Sequence, residues 1–216
     1  MYRLGLPRFL AALLLSCCAQ PLHATVVTLN FDDLAAQTYV PNDYMGITFE
    51  LGQLGFGNNT GRAAVITSGQ GGRPATPPNC MINEWGVRQL GFTASSKHFN
   101  FLGAVFSRYG DVASMQAPLV GFVGYRNGKQ VDQTPGYQIT NTPSFAPVYF
   151  VDVDYVLIVA ANGPVGSAGW YCMDNLSYEP VPEPSTAIVL ACCVCGLMLI
   201  GGSGTETRCF RRVRML

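Results

Sequence analysis

In the stretch YFVDVDYVLIVA, Tyr149–Ala160, apolar and aromatic residues alternate with Asp152 and Asp154. Successive side chains of a β-strand point to opposite faces of its sheet. The alternation therefore predicts one strand, with both aspartates on a solvated face and their valine and tyrosine neighbours on a packed face. A chain containing such a strand must bury the packed face against a second layer.

The segment YRNGKQ, Tyr125–Gln130, predicts a β-hairpin, because Asn127 and Gly128 readily take the positive φ that both positions of a tight turn require. Similar strand-like runs, separated by Gly, Pro and Asn, are TVVTLNF, GITFEL, AAVITS, HFNFLGAVF, LVGFVGY, KQVDQ and GWYCMDNLSY. No stretch shows sustained helical periodicity. Residues 25–180 are therefore predicted to form an all-β, antiparallel two-sheet β-sandwich of jelly-roll type. The Gly- and Pro-rich residues 52–86 are predicted to form surface loops around one strand.

The N-terminus has the order of a secretory signal peptide over residues 1–24. Arg3 and Arg8 precede a short apolar run, and the segment ends on a small residue. The run is too short for a stable membrane span. The alternatives are a buried first helix and lipoprotein processing at Cys17 or Cys18.

The C-terminus combines a proline-punctuated acidic motif, an apolar segment and a basic end. The motif VPEPST, Val181–Thr186, is followed by 18 uncharged residues, 187–204, and then by a cluster of four arginines. That length is near the lower limit for a membrane-spanning helix. Because arginines are retained in the cytoplasm, residues 25–180 would lie outside the inner membrane.

This tail resembles the PEP-CTERM sorting signal of exported proteins of Gram-negative bacteria. The resemblance covers residues 181–216 and rests on three features in order: the motif Val181, Pro182, Glu183 and Pro184, the apolar segment, and the arginine cluster. It implies an exosortase that recognises and cuts the tail, an inner-membrane intermediate, and a final place at the cell surface or in the extracellular polysaccharide matrix. The prolines would keep the motif extended and accessible. A GPI signal, which usually lacks a basic end, and a plain single-pass anchor are the alternatives.

Without its two ends the chain is acidic. The whole chain is neutral, but residues 25–184 hold 7 basic and 12 acidic residues, a net charge of −5. An acidic surface repels the phosphates of nucleic acid. We therefore expect no nucleic-acid partner.

Of the eight cysteines, only Cys80 and Cys172 belong to the predicted sandwich. In an oxidising compartment two cysteines predict one disulfide, which for so long a loop would stabilise the fold by about 4 to 5 kcal/mol in the chain-entropy model. The alternative is two separate buried thiols.

The predicted sandwich offers little for catalysis. His98 is its one histidine, and the surrounding SSKHF predicts a solvated strand end. Carboxylates that a glycosidase could use are Glu50, Glu84, Asp111, Asp152 and Asp154. Asp152 and Asp154, about 7 Å apart on one predicted strand face, would suit an inverting pair. Acids on an outer strand face usually serve solubility and edge protection, so we expect a protein that is not an enzyme.

The segments NFDDL at 30–34 and CMDNL at 172–176 resemble the paired terminal strands of jelly-roll domains of the carbohydrate-binding type. That resemblance implies a structural Ca²⁺ held by Asp32 and Asp174. The alternative is that the two carboxylates cap turns or accept hydrogen bonds from backbone amides.

Sugar binding would use exposed aromatic rings. Among Trp85, Tyr109, Tyr125 and Trp170, the sequence favours Trp85, which lies in a Gly- and Pro-rich region and has least reason to be buried. The sequence thus predicts an exported, non-catalytic surface or matrix protein that binds polysaccharide or serves a structural role. The alternatives are a secreted glycan-active enzyme and a membrane-anchored structural protein.

Overall fold

Two antiparallel sheets face each other in the computed structural model, which describes residues 25–51, 62–111, 116–161 and 169–182. The strands in these ranges are β1 (Val27–Leu29), β2 (Ile47–Leu51), β3 (Ala63–Thr67), β4 (Asn79–Asn83), β5 (Gln89–Ala94), β6 (Phe99–Arg108), β7 (Leu119–Arg126), β8 (Lys129–Gln133), β9 (Tyr137–Gln138), β10 (Ser144–Val153), β11 (Tyr155–Ala160) and β12 (Tyr171–Pro180). Two single 3₁₀ turns, Ser68–Gln70 and Glu84–Gly86, are the helical segments of these ranges.

The described strands belong to one compact unit, Ala24–Val181. No helix in the described ranges is long and apolar enough to cross a membrane. The predicted signal peptide, residues 1–24, and the predicted span, 187–204, lie outside the described residues.

Among the described residues, each sheet contains six strands. Sheet A has the order β10-β6-β12-β4-β3, with β1 also paired to β12, and sheet B has the order β2-β5-β11-β7-β8, with β9 also paired to β7. The prediction of an all-β, two-sheet antiparallel sandwich is confirmed, whereas the jelly-roll assignment stays a prediction.

Phenylalanine rings fill the space between the sheets. The ring centroid of Phe101 on β6 lies 5.1 Å from that of Phe92 on β5 and 5.3 Å from that of Phe122 on β7. All three side chains are buried. Because burial of each such ring stabilises the fold by about 1.5 to 3 kcal/mol, these contacts across the sandwich hold the two sheets together.

The stretch Tyr149–Ala160 forms two strands rather than the single predicted one. β10 ends in sheet A and β11 begins in sheet B. Asp152 has a φ of 56°, and the pairing of β10 with β6 shifts register around it. Val151 is consequently 73% exposed while Val153 is buried, so the prediction that both are packed was wrong. Such a bulge bends a strand and re-aims its side chains, and here it lies where the chain crosses between sheets.

The predicted hairpin is confirmed. Asn127 and Gly128 have φ values of 51° and 70°, and Arg126 pairs with Lys129 on either side of them. This turn joins β7 to β8, and it lies beside the cavity described below.

The region predicted as loops around one strand contains two strands, β3 and β4. Asparagines at both ends of NCMIN concealed β4, because asparagine is depleted in strands. Both asparagines are nevertheless buried: the Asn79 amide donates to Leu34 O at 2.9 Å, and the Asn83 amide donates to Val87 O at 2.8 Å. Residues 52–61 lie outside the described ranges.

The predicted disulfide is absent, and Cys80 and Cys172 are free, buried thiols. β12 pairs with β4 so that Cys172 is opposite Ile82, which places Cys80 diagonally across the ladder. Diagonal neighbours in a ladder are about 7 to 8 Å apart at Cα, beyond the usual range for a disulfide. The Cys172 thiol donates to Arg108 O at 3.8 Å. The interaction with Cys172, together with burial, raises the pKa of Cys80.

Candidate functional site

A cavity of about 380 Å³ opens on the face of sheet B that points away from the sandwich core. Val156 and Ile158 of β11 face the core, and the alternating residues Tyr155 and Leu157 face the cavity. Its volume falls in the range of about 300 to 1,000 Å³ that is usual for small-molecule sites. The residues that line it are Glu50, Thr93, Tyr125, Gly128, Asp154, Tyr155 and Leu157.

The sheet register places the lining side chains in rows across four strands. Glu50 of β2 pairs with Gly91 of β5, and Gly91 pairs with Leu157 of β11. In the neighbouring row, Tyr155 of β11 pairs with Tyr125 of β7. Paired residues project to the same side of a sheet. The register of these pairs is fixed because the opposite face of each strand is buried in the core, and this register places the lining side chains on the cavity floor.

Tyr125 and Tyr155 form the aromatic part of the floor. Their ring centroids are 5.7 Å apart and their planes are inclined at 59°. Both residues are only partly buried. A tyrosine ring offers a flat apolar face for a sugar ring and a hydroxyl for its polar edge.

Gly91 makes room for the Tyr155 ring. A Cβ atom at position 91 would lie 1.9 Å from Tyr155 Oη and 2.3 Å from Cζ of the same ring. The Tyr155 hydroxyl is buried and has no hydrogen-bond partner among the described residues. The absent side chain of Gly91 therefore fixes how Tyr155 lies on the sheet.

Two carboxylates give the cavity negative charge. Glu50 projects from β2, and Asp154 occupies the crossing between β10 and β11, where its N–H donates to Tyr125 O at 2.9 Å. Asp154 Oδ2 accepts the N–H of Asn127 in the hairpin turn. Burial, the Glu50 charge and Tyr125 together raise the pKa of Tyr155 to about 12, so its phenol is neutral.

A second cavity of about 310 Å³ adjoins the first and shares Glu50 with it. Arg62 and Tyr39 line this second cavity, with the Arg62 guanidinium 5.1 Å from the centroid of the Tyr39 ring. The Tyr39 hydroxyl donates to Glu84 Oε1 at 3.2 Å. Glu50 therefore lies between an acidic, aromatic cavity and one that contains a cation.

No protein-family model matches the chain, and no curated protein matches it. Solved structures with a similar course of the chain include the N-terminal CBM22-1–CBM22-2 tandem domain of Paenibacillus barcinonensis Xyn10C, with a TM-score of 0.43 and 10% identity over 78% of this chain and 49% of that one. The family 29 carbohydrate-binding module CBM29_1 of Piromyces equi gives a TM-score of 0.43 and 8% identity over 79% and 99% of the two chains. TmCBM61, solved with β-1,4-galactotriose, gives 0.34 and 10% over 68% and 100%. The chain thus spans about half of the tandem-domain structure and nearly all of the two single modules.

The two aspartates predicted as calcium ligands hold a loop. Asp174 Oδ2 accepts the N–H groups of Ala75 and Thr76 at 2.8 and 2.9 Å and the Thr76 hydroxyl at 3.1 Å. Asp32 Oδ1 accepts the N–H of Asn79 at 3.1 Å. Each carboxylate thus accepts hydrogen bonds from backbone amides, which is the alternative role, and the calcium site stays a prediction.

Other aromatic candidates lie elsewhere. Tyr109 and Trp170 stack on each other with centroids 5.1 Å apart, and they pack against the buried cluster around Cys80 and Cys172. Trp85 belongs to the 3₁₀ turn Glu84–Gly86, and its side chain lies outside what the structure describes.

His98 contacts Val181, the first residue of the predicted sorting motif. The Val181 N–H donates to His98 O at 2.9 Å, the last backbone bond of the described chain. His98 Nδ1 lies 3.3 Å from Asp152 Oδ1, and Asp152 also pairs with Arg126. The His98 side chain is therefore partly buried beside the crossing between β10 and β11. Glu183 and Pro184 lie outside the described residues.

Sequence reasoning named Tyr125 as an aromatic candidate and Glu50 and Asp154 as carboxylates, but it did not group them. It missed Tyr155, because that residue was assigned to the packed face of a single strand. The sequence feature that could have indicated the crossing between strands is the pair Asp152 and Asp154, because aspartates inside an apolar run are typical of a bend.

Proposed function

We propose that the sandwich binds carbohydrate through the cavity on sheet B and does not itself perform catalysis. The observation that carries this proposal is the joint presence of Tyr125, Tyr155, Glu50 and Asp154 in one concave site. Ring faces supply apolar contact to a pyranose, and carboxylates accept hydrogen bonds from its hydroxyls. Because the floor is built on paired strands, the site is largely formed before the ligand arrives.

Replacement of Tyr125 by alanine tests this proposal. Binding to glycans found on an array should weaken about tenfold, since the loss of one stacking ring costs about 1.4 kcal/mol. Tyr149→Ala is the matched control, because Tyr149 is 73% exposed on β10 of the other sheet. Equal weakening by both substitutions, or no glycan bound by the native chain, would refute a sugar site on sheet B.

A glycan-active enzyme is the second candidate, favoured by the two carboxylates in the same cavity. A glycosidase uses one carboxyl as acid and another as base or nucleophile. Release of reducing ends from a bound glycan, abolished in Glu50→Gln, would establish this alternative. Binding without release supports the non-catalytic proposal.

We further propose that the protein is exported and sorted by an exosortase through VPEPST and the tail that follows it. Support comes from the order of signal peptide, motif, apolar segment and arginines in the sequence. Within the described residues the regular β-structure ends at Pro180, and Pro182 has no N–H to donate to a further strand, which favours an extended motif. The destination would be the cell surface or the surrounding polysaccharide. The mass of the exported protein tests whether the signal peptide and the tail have been removed.

A further inference from the structure

The charged side chains that line the cavity on sheet B are all acidic. Its described lining holds Glu50 and Asp154 but no lysine, arginine or histidine. Of the nearby cations, Arg126 pairs with Asp152, Arg62 lies over the Tyr39 ring in the adjoining cavity, and Lys129, which follows Gly128, is exposed on β8.

Neither carboxylate has an ion-pair partner among the described residues, although Arg62 lines the adjoining cavity that Glu50 shares. Asp154 Oδ2 accepts a neutral backbone N–H from Asn127. The sequence from residue 25 to 184 adds to this field with its net charge of −5. The raised pKa of Tyr155, due to burial and then to Glu50, reflects the same negative potential.

We infer that the cavity selects sugars that carry a protonated amine, so that its ligand is a glycan containing glucosamine-type residues; this inference rests on the proposed sugar-binding function. An ammonium group would meet the carboxylates and also the faces of Tyr125 and Tyr155, which attract cations. Glycans with carboxylate or sulfate groups would be repelled.

An organic cation fits this site better than a metal ion. Within the described residues no group of three His, Cys, Asp or Glu side chains could hold a metal. Two carboxylates supply only a few of the six to eight oxygen ligands that Ca²⁺ takes. The same rings give a pyranose its apolar contact.

The test compares two tetramers by calorimetry at a mildly acidic pH, at which the amines are protonated. One is a β-1,4-linked glucosamine tetramer and the other is its fully N-acetylated form. The charged tetramer should bind about tenfold more tightly, because its ammonium groups can make charge contacts with the two carboxylates that acetamide groups cannot make. High salt should reduce that preference.

Glu50→Gln should remove most of the preference, because it should weaken binding of the charged tetramer much more than binding of the acetylated one. Glu179→Gln is the control, because Glu179 lies on β12 of sheet A and its loss changes net charge equally. A tetralysine peptide carries the ammonium groups without sugar rings and should bind more weakly than the glucosamine tetramer.

The inference is overturned if the acetylated tetramer binds as tightly as the charged one, if neither tetramer binds, or if tetralysine binds equally well. It is also overturned if Glu179→Gln has the same effect as Glu50→Gln. In each case the proposed sugar-binding function is judged separately, by the effect of Tyr125→Ala on other glycans.

Discussion

Gly91 controls the shape of the cavity floor, because Tyr155 occupies the space where its side chain would be. In Gly91→Ala the new Cβ would lie 1.9 Å from Tyr155 Oη, so the ring must swing away. We expect glycan affinity to fall about tenfold and the free energy of unfolding to fall by about 1 to 3 kcal/mol. Urea denaturation and calorimetry measure the two effects.

Gly121→Ala is the matched control for this substitution. Gly121 lies on β7 in the same sheet, and a Cβ there would meet no atom closer than 3.8 Å. It should change affinity and stability little. Unchanged glycan affinity in Gly91→Ala would show that the position of the Tyr155 ring does not matter for binding.

The segment between β3 and β4 is fastened to sheet A by Asp174 of β12. Asp174→Ala removes the acceptor of the Ala75 and Thr76 N–H groups. Ala75 and Thr76 are exposed, so water can replace part of the lost acceptor, and we expect the free energy of unfolding in urea to fall by about 1 to 3 kcal/mol. Limited proteolysis should show earlier cleavage between Ser68 and Pro78. Asp132→Ala on the exposed strand β8 should leave both measurements unchanged.

Burial raises the pKa of Asp174, and the hydrogen bonds it accepts oppose this rise. The folded protein therefore holds this proton more tightly than the unfolded chain does. The proton bound by Asp174 stabilises the folded protein fully at pH values below the pKa that this carboxyl has in the unfolded chain. This stabilisation is lost as the pH rises through the higher pKa that Asp174 has in the folded protein. Asp174→Asn should remove that part of the pH dependence, and an unaltered stability-against-pH curve would contradict it.

The two ends of the chain carry the proposed sorting signals, and the sandwich between them carries the proposed glycan-binding cavity. If an exosortase processes the protein, the exported form should lack residues 1–24 and the arginine cluster beyond residue 204. Intact mass spectrometry of the form recovered from the native host measures both losses.

The two buried thiols should react with an alkylating reagent only after unfolding.

Retention of the arginine cluster would favour a membrane anchor. A chain that keeps residues 1–24 and stays in the cytosol would contradict export altogether. Neither result would alter the predicted role of Tyr125, because the cavity is built within residues 50–157.

The sequence alone determined that the chain is a sandwich of antiparallel strands, because alternation of apolar residues and the Asn127–Gly128 turn act over a few neighbouring positions. It also determined the order of features at both ends. Only the tertiary structure decided that Tyr149–Ala160 crosses between sheets, since the bulge at Asp152 depends on pairing with the distant strand β6. The tertiary structure also decided the diagonal placement of Cys80 and Cys172, which follows from strand register. The order of the strands in sheet B brings Glu50, Gly91 and Tyr155 together, and local sequence does not encode that order.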